Sequence, residues 1–181
     1  MNVGIIGSGG REHAICVSLK NSEKANNIYC FPGNAGTSLI AQNIESNLDN
    51  FEELRRLIQK FNIDLVIIGP EKPLVDGLVD YLKKNWIKVF GPNKIASQLE
   101  GSKIFTKKLC EKYDIPTANF AIYNNLAKSL SFLNKCKYPI VVKADGLAAG
   151  KGVYICETLE HSTKAVKEIF NGKFGEAEQV L

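Results

Sequence analysis

Over residues 1–92, short apolar runs alternate with stretches whose apolar positions recur every three or four residues. Residues 2–7 (NVGIIG) are β-rich, apolar and stopped by glycine, the pattern of a buried strand. REHAICVSLKNS then sets Ala14, Cys16, Val17 and Leu19 at spacings that predict a helix covering a sheet. NNIYCFPGN predicts a second strand that ends at Pro32-Gly33. NFEELRRLIQKF carries Phe51, Leu54, Leu57, Ile58 and Phe61 at helical spacing behind a candidate N-cap, Asn50. DLVIIGPE predicts a third strand, PLVDGLVDYLKKN a helix opened by Pro73, and IKVFGP a fourth strand. Strand–helix alternation with short turns implies a parallel sheet with right-handed crossovers, so residues 1–92 are predicted to form an α/β, Rossmann-like domain.

The pattern changes at residue 93. Residues 93–117 read as a helical connector without a strand, broken at Pro116. From 118 the expected elements are a strand (NFAIY), a helix (Leu126–Cys136), a strand (YPIVVKA), a glycine loop, a strand (GVYICE) and a helix (Leu159–Phe170). EAEQVL begins what reads as one more strand. So few strands would leave an apolar face and an open edge, which leads to the expectation that this α+β domain is incomplete and continues past Leu181.

Composition narrows the function classes. The chain has 181 residues, 45% hydrophobic and 23% charged, as a globular protein with a real core does. Net charge is +4, from scattered lysines and only Arg11, Arg55 and Arg56. No aromatic stripe runs among the lysines, so nucleic acid is not an expected partner. No apolar run approaches the roughly 20 residues of a membrane span, and no leader pattern opens the chain. The five cysteines are odd in number and lack C-x-x-C spacing, and Cys16, Cys30 and Cys156, within apolar stretches, read as buried thiols of a cytoplasmic protein.

Each of the first three strands ends in an unusual loop: GSGGREHA, PGNAGT and GPEKPLVDG. Ligands of open parallel sheets bind outside the carboxyl ends of the strands, where glycines let backbone N–H groups approach an anion. Arg11 supplies a fork of donors suited to phosphate, and Asn34 and Thr37 neutral donors. Glu71 and Asp76 flank the third loop and can orient an amine or ribose hydroxyls. A small phosphorylated sugar suits such a crevice. A nicotinamide or flavin dinucleotide does not: the third place of G-x-G-x-x-G falls on Glu12, and no acid stands at the tip of the second strand. The second glycine loop, KADGLAAGKGV (143–153), is no P-loop, because its spacing is one residue short, Lys151 precedes Gly152 instead of a hydroxyl, and a strand follows. A strand–loop–strand hairpin remains, able to fold over a triphosphate, with Lys143 before it and Lys151 in it. His13 at the first helix start reads as packing or capping a phosphate loop, and His161 as exposed.

Taken together, GSGGREHA, PGNAG, GPEKPLVDGL, FGPNKIASQLEGSKIFTKKL, IPTA and YPIVVKADGLAAGKGV resemble the phosphoribosylamine–glycine ligases (glycinamide ribonucleotide synthetases) of the ATP-grasp superfamily. The resemblance implies an N-terminal Rossmann-like domain followed by an ATP-grasp unit, of which residues 118–181 would be the start. It implies ATP-dependent ligation of glycine to 5-phosphoribosylamine through a glycyl phosphate, with Mg²⁺ (or Mn²⁺). Carried onto this chain, Gly9, Gly10, Arg11, Asn34, Gly36, Glu71 and Asp76 would face the phosphoribosylamine. Lys103 and Lys143 would serve the ATP phosphates, and Gly146, Gly150, Lys151 and Gly152 would belong to the lid. Metal ligands are expected beyond Leu181, and the piece alone is expected to be inactive. Two other readings stay open: another ATP-grasp ligase, biotin-carboxylase-like or formate-using, and a non-catalytic phosphoribosyl- or nucleotide-binding module.

Overall fold

The computed structural model describes residues 1–148, 151–174 and 179–181. They form two compact units, Met1–Ser97 and Gln98–Leu181.

The first unit is a five-stranded, wholly parallel sheet with strand order β3-β2-β1-β4-β5. The strands are β1 (Asn2–Gly7), β2 (Asn27–Pro32), β3 (Gln42–Asn43), β4 (Leu65–Ile68) and β5 (Val89–Phe90). Its helices are α1 (Gly10–Lys20), α2 (Phe51–Lys60), α3 (Glu71–Asp76) and α4 (Leu78–Lys84). In the central register Ile5 faces Cys30 and Ile6 faces Phe31. Because side chains alternate across a strand, the two pairs enter opposite layers. Ile6, Phe31 and Val66 pack with Leu54 and Ile58 of α2 and Leu78, Val79 and Leu82 of α4. Ile5, Cys16 and Cys30 form the opposite layer under α1, with Ile15 and Leu19. Asn50 caps α2, its side chain accepting from Glu53 N–H at 3.0 Å.

Several sequence expectations need correction. Ala14 and Val17 are exposed; α1 turns Glu12, Ile15, Cys16 and Leu19 inward, because a carboxylate takes a place that the apolar pattern cannot signal. PLVDGLVDYLKKN is two helices, since Gly77 at φ +100° ends α3 in the left-handed region. β5 keeps only two residues of IKVFGP, and β3 carries no apolar run to announce it.

The second unit holds α5 (Gln98–Gly101), α6 (Lys103–Lys112), α7 (Leu126–Leu133), β6 (Ile140–Lys143), β7 (Val153–Cys156) and α8 (Leu159–Phe170). β6 and β7 are antiparallel, as expected of a hairpin. NFAIY is not a strand: of its residues only the last, Tyr123, forms a bridge, to Val180, which also bridges Ala144. Val142, Ala144, Cys156 and Val180 pack on Leu133 of α7 and on Ala165, Val166 and Ile169 of α8. The opposite face of the hairpin leaves the paired Val141 and Ile155 exposed, beside Val153 and Lys143.

Cys16 and Cys30, both fully buried, meet at 3.1 Å between sulfurs. Burial pushes both thiols up, Cys30 to about 12 from an ordinary 9.0. The protonated thiol therefore favours the folded state, and its contribution is present below pH 9 and lost as pH rises toward 12. The urea midpoint should fall across that window more steeply in the wild-type chain than in Cys30→Ala. Parallel pH profiles would contradict this.

Candidate functional site

The carboxyl ends of β1, β2 and β4 are joined to one another by hydrogen bonds. Gly33 N–H donates to Gly7 O at 3.1 Å, and Gly69 N–H to Ile6 O at 3.1 Å. Between the β1 and β4 ends lies Glu12, only 4% exposed, whose Oε2 accepts from Gly9 N–H at 2.5 Å. This is the Glu half of a capping box, satisfying an N–H that would otherwise be orphaned at the helix start. The carboxylate fits because its neighbours lack side chains. A Cβ at Gly7 would stand 2.7 Å from Glu12 Cδ, and one at Gly69 2.6 Å from it and overlapping Oε1. Gly7 also sits at φ +127°, where a Cβ is strained. Glu12 therefore does more than repel a pyrophosphate: it occupies the N–H that a dinucleotide turn would offer.

The β2 end is organised around Asn34. Its Oδ1 accepts from Gly36 N–H (2.7 Å) and Thr37 N–H (2.9 Å), and its Nδ2 donates to Ser8 O (2.9 Å) and Gly9 O (3.2 Å). The Thr37 hydroxyl accepts from Asn34 N–H at 2.7 Å and lies 2.8 Å from Asn43 Oδ1. Gly36 lies against the His13 ring, where a Cβ would meet Cε1 at 2.8 Å. His13 is thus a wall of this loop.

Arg11 spans to the third loop. Its Nη1 donates to Gly69 O, and its Nη2 pairs with Glu71 Oε1 at 2.7 Å, with side chains 59% and 41% exposed. The guanidinium holds the Glu71 carboxyl below its ordinary value. Asp76 instead takes Lys72 at 2.6 Å, which also reaches Asp49 at 2.7 Å. Of the substrate-facing residues expected from sequence, Gly9, Gly10, Arg11, Asn34, Gly36 and Glu71 gather at the three loops. Asp76 is engaged in the Lys72 bridge.

In the second unit the glycine loop is fastened to α6. Asp145 accepts from Ile104 N–H (3.1 Å) and from Ser102 Oγ (2.9 Å), while Ser102 Oγ accepts from Phe105 N–H (3.0 Å). Lys103 Nζ donates to Gly146 O at 2.9 Å. Lys143 is half-buried, and its Nζ has no hydrogen-bond or ion-pair partner among the described residues; Lys151 is exposed. Gly146 sits at φ +92°, and a Cβ at Gly152 would meet Ala148 Cβ at 2.8 Å. Gly150 lies outside the described residues. A groove of about 570 Å³ joins apolar walls at Phe132, Ile140 and Val142 to Lys107, Lys135 and Lys143. Among the described residues no group of three or more His, Cys, Asp or Glu side chains comes together to hold a metal ion, and no helix is long and apolar enough to cross a membrane.

The profile described as phosphoribosylglycinamide synthetase, N domain, matches residues 1–100, and that of the same synthetase's ATP-grasp (A) domain matches residues 101–181. The chain belongs to the phosphoribosylglycinamide synthetase family. The phosphoribosylamine–glycine ligase of Clostridium acetobutylicum is 49% identical over 177 residues, covering 95% of this chain and 42% of that protein. The phosphoribosylamine–glycine ligase of Thermotoga maritima, a crystal structure, superposes with a TM-score of 0.79 at 30% identity, covering 99% of this chain and 42% of its own. The biotin carboxylase domain of Hydrogenobacter thermophilus 2-oxoglutarate carboxylase, in complex with MgADP, ADP and bicarbonate, superposes with a TM-score of 0.77 at 18% identity over 99% of this chain and 43% of its own, a likeness of fold alone. The chain thus spans 42% of the length of these family relatives.

The glycine motifs therefore led to the right family, but sequence reading missed how the loops are held. Ser8, Asn43, Ser102 and Asp145 carry no pattern that separates a loop-fastening residue from a surface one. The Ser102 N-cap was the nearest thing to a signal, as a hydroxyl just ahead of a helix.

Two consequences can be measured. Gly69→Ala should destabilise the chain by about 1–3 kcal/mol in urea unfolding, and most of that cost should vanish in the Glu12→Ala background. Equal costs in both backgrounds would show that Glu12 is not what the missing side chain accommodates. NADH should give no saturable binding by fluorescence, because Glu12 already holds the Gly9 N–H; saturation would contradict the assignment.

Proposed function

We propose that the protein carrying this chain joins glycine to 5-phosphoribosylamine, with ATP becoming ADP and phosphate. The observation that carries this reading is the set of three strand-end loops cross-linked by hydrogen bonds, in a chain whose two halves both match one synthetase family. The residues of unit one, by this reading, receive the sugar phosphate. Gly9 leads into α1, whose first backbone N–H groups from Gly10 on, together with the helix dipole, favour an anion, while the Gly9 N–H itself stays on Glu12. Arg11 exchanges its exposed contact with Glu71 for a bidentate grip on phosphate. Glu71, the carboxylate that Arg11 releases, then accepts the amine N–H of the phosphoribosylamine. Asn34 and Gly36 shape the loop that walls the ribose, and Asp76 pairs within α3 with Lys72, which ties the helix to Asp49.

The second unit receives ATP. The exposed apolar face of the β6–β7 hairpin suits a purine ring, and Lys143 on that same face reaches the phosphates. Lys103, Gly146, Lys151 and Gly152 border the phosphate path, with Gly150 between them in sequence. Glycine's carboxylate attacks the terminal phosphorus, the bond to ADP breaks, and glycyl phosphate forms. The ribosylamine nitrogen then attacks the carbonyl carbon, the C–O bond to phosphate breaks, and the nitrogen loses a proton. Both steps develop negative charge on phosphoryl oxygens, which the lysine ammonium groups stabilise without a protein nucleophile. By this reading these side chains act on the phosphates through charge and hydrogen bonds, and Mg²⁺ (or Mn²⁺) bound in the whole protein would add to the same charge neutralisation. Free cysteines, five in number, accord with a cytoplasmic setting.

The test is ADP release that requires glycine and phosphoribosylamine together; release with bicarbonate or formate in place of glycine would overturn the reading. Arg11→Ala should raise KM for phosphoribosylamine by the equivalent of about 1.5–3 kcal/mol, and leave KM for ATP within about twofold. An equal rise in both would remove Arg11 from the sugar-phosphate site.

A further inference from the structure

Asp145 stands between two groups that the reading above assigns to ATP, Lys103 and the loop beginning at Gly146, and is itself assigned to neither. Its carboxylate reaches back to α6. Oδ1 accepts from Ile104 N–H, the second helical position, at 3.1 Å, and Oδ2 from Ser102 Oγ at 2.9 Å. Ser102 in turn accepts from Phe105 N–H at 3.0 Å, so two orphan amides of the helix start are satisfied by one linked pair. The same carboxylate faces the positive end of α6, so an incoming anion meets the ammonium of Lys103 and not the helix start. Lys103, between Ser102 and Ile104, has its Nζ on Gly146 O at 2.9 Å. The strand end is held from the other side too: Asp145 N–H donates to Gln179 O at 3.2 Å. Helix start, lysine and loop base are thereby one hydrogen-bonded unit with Asp145 at its centre.

We propose that Asp145 is a positioning residue for ATP: it sets where Lys103 stands relative to the glycine loop, and acts on the nucleotide only through that lysine. The proposal rests on the ATP reading of the second unit. Asn at this position keeps Oδ1 as an acceptor for both Ile104 N–H and Ser102 Oγ, whereas Ala removes both contacts.

The experiment is a double-mutant cycle on ATP affinity by titration calorimetry, using the wild-type protein, Asp145→Ala, Lys103→Ala and the double variant. Asp145→Ala should weaken ATP at least about tenfold, the low end for a hydrogen bond to a charged group. In the Lys103→Ala background the same change should weaken it less than about twofold, since residues acting through one contact are not additive. Asp145→Asn should recover most of the affinity. Amide exchange at Ile104 and Phe105 should rise in Asp145→Ala and stay near wild type in Asp145→Asn. Should Asp145→Ala not fold, Ser102→Ala takes its place in the cycle with the same expectation. Equal losses in both lysine backgrounds, or unchanged affinity in Asp145→Ala, would overturn the proposal while leaving the ATP reading intact. A wild-type protein that binds no ATP would overturn both.

Discussion

One buried carboxylate organises the first unit. Glu12 lies where β1 hands over to α1 and accepts the amide of Gly9, while Gly7 and Gly69 leave it room by having no side chain. A charged group taken out of water is tolerated only when hydrogen-bonded, so this contact ties the start of α1 to the tip of β1. It also brings the β4 end close enough for Arg11, the preceding residue, to reach Gly69 O and Glu71. Remove the carboxylate or fill the space of Gly69, and the loop that presents Arg11 loses its support.

The two units use the same device on different loops. A short polar side chain accepts or donates across to the backbone of a neighbouring loop or helix start: Asn34 to Ser8 and Gly9 in the first, Asp145 to Ile104 in the second. Polar side chains so engaged cannot also be the ligand's main partners. The long cations remain for that purpose. Arg11 is held in part by an exposed ion pair that phosphate can replace, and Lys143 has no side-chain partner among the described residues.

Strands and helices with a strong period were legible from the sequence, as in NVGIIG and NFEELRRLIQKF, because apolar burial specifies them, and the Asn50 cap was legible because an amide side chain stands just ahead of the periodic run. β3, two polar residues in length, was not, since it exists only through its pairing with β2. Nor was the break at Gly77, where a left-handed residue ends one helix and starts the next without disturbing the apolar spacing. At the site, Gly9, Arg11, Asn34 and Glu71 were legible as loop residues at strand ends. That Glu12 fills the cradle, and that Asp145 and Ser102 share the cap of α6, depends on contacts between segments far apart in the chain, which no local pattern encodes.

The central claim is that the β1, β2 and β4 loops form one sugar-phosphate site. Amide chemical-shift mapping of the chain during titration with ribose 5-phosphate tests it most directly. The account predicts saturable shifts confined to residues 8–13, 33–37 and 69–72, all fitting a single dissociation constant. Shifts in the β6–β7 hairpin alone, or different constants for the three loops, would contradict it.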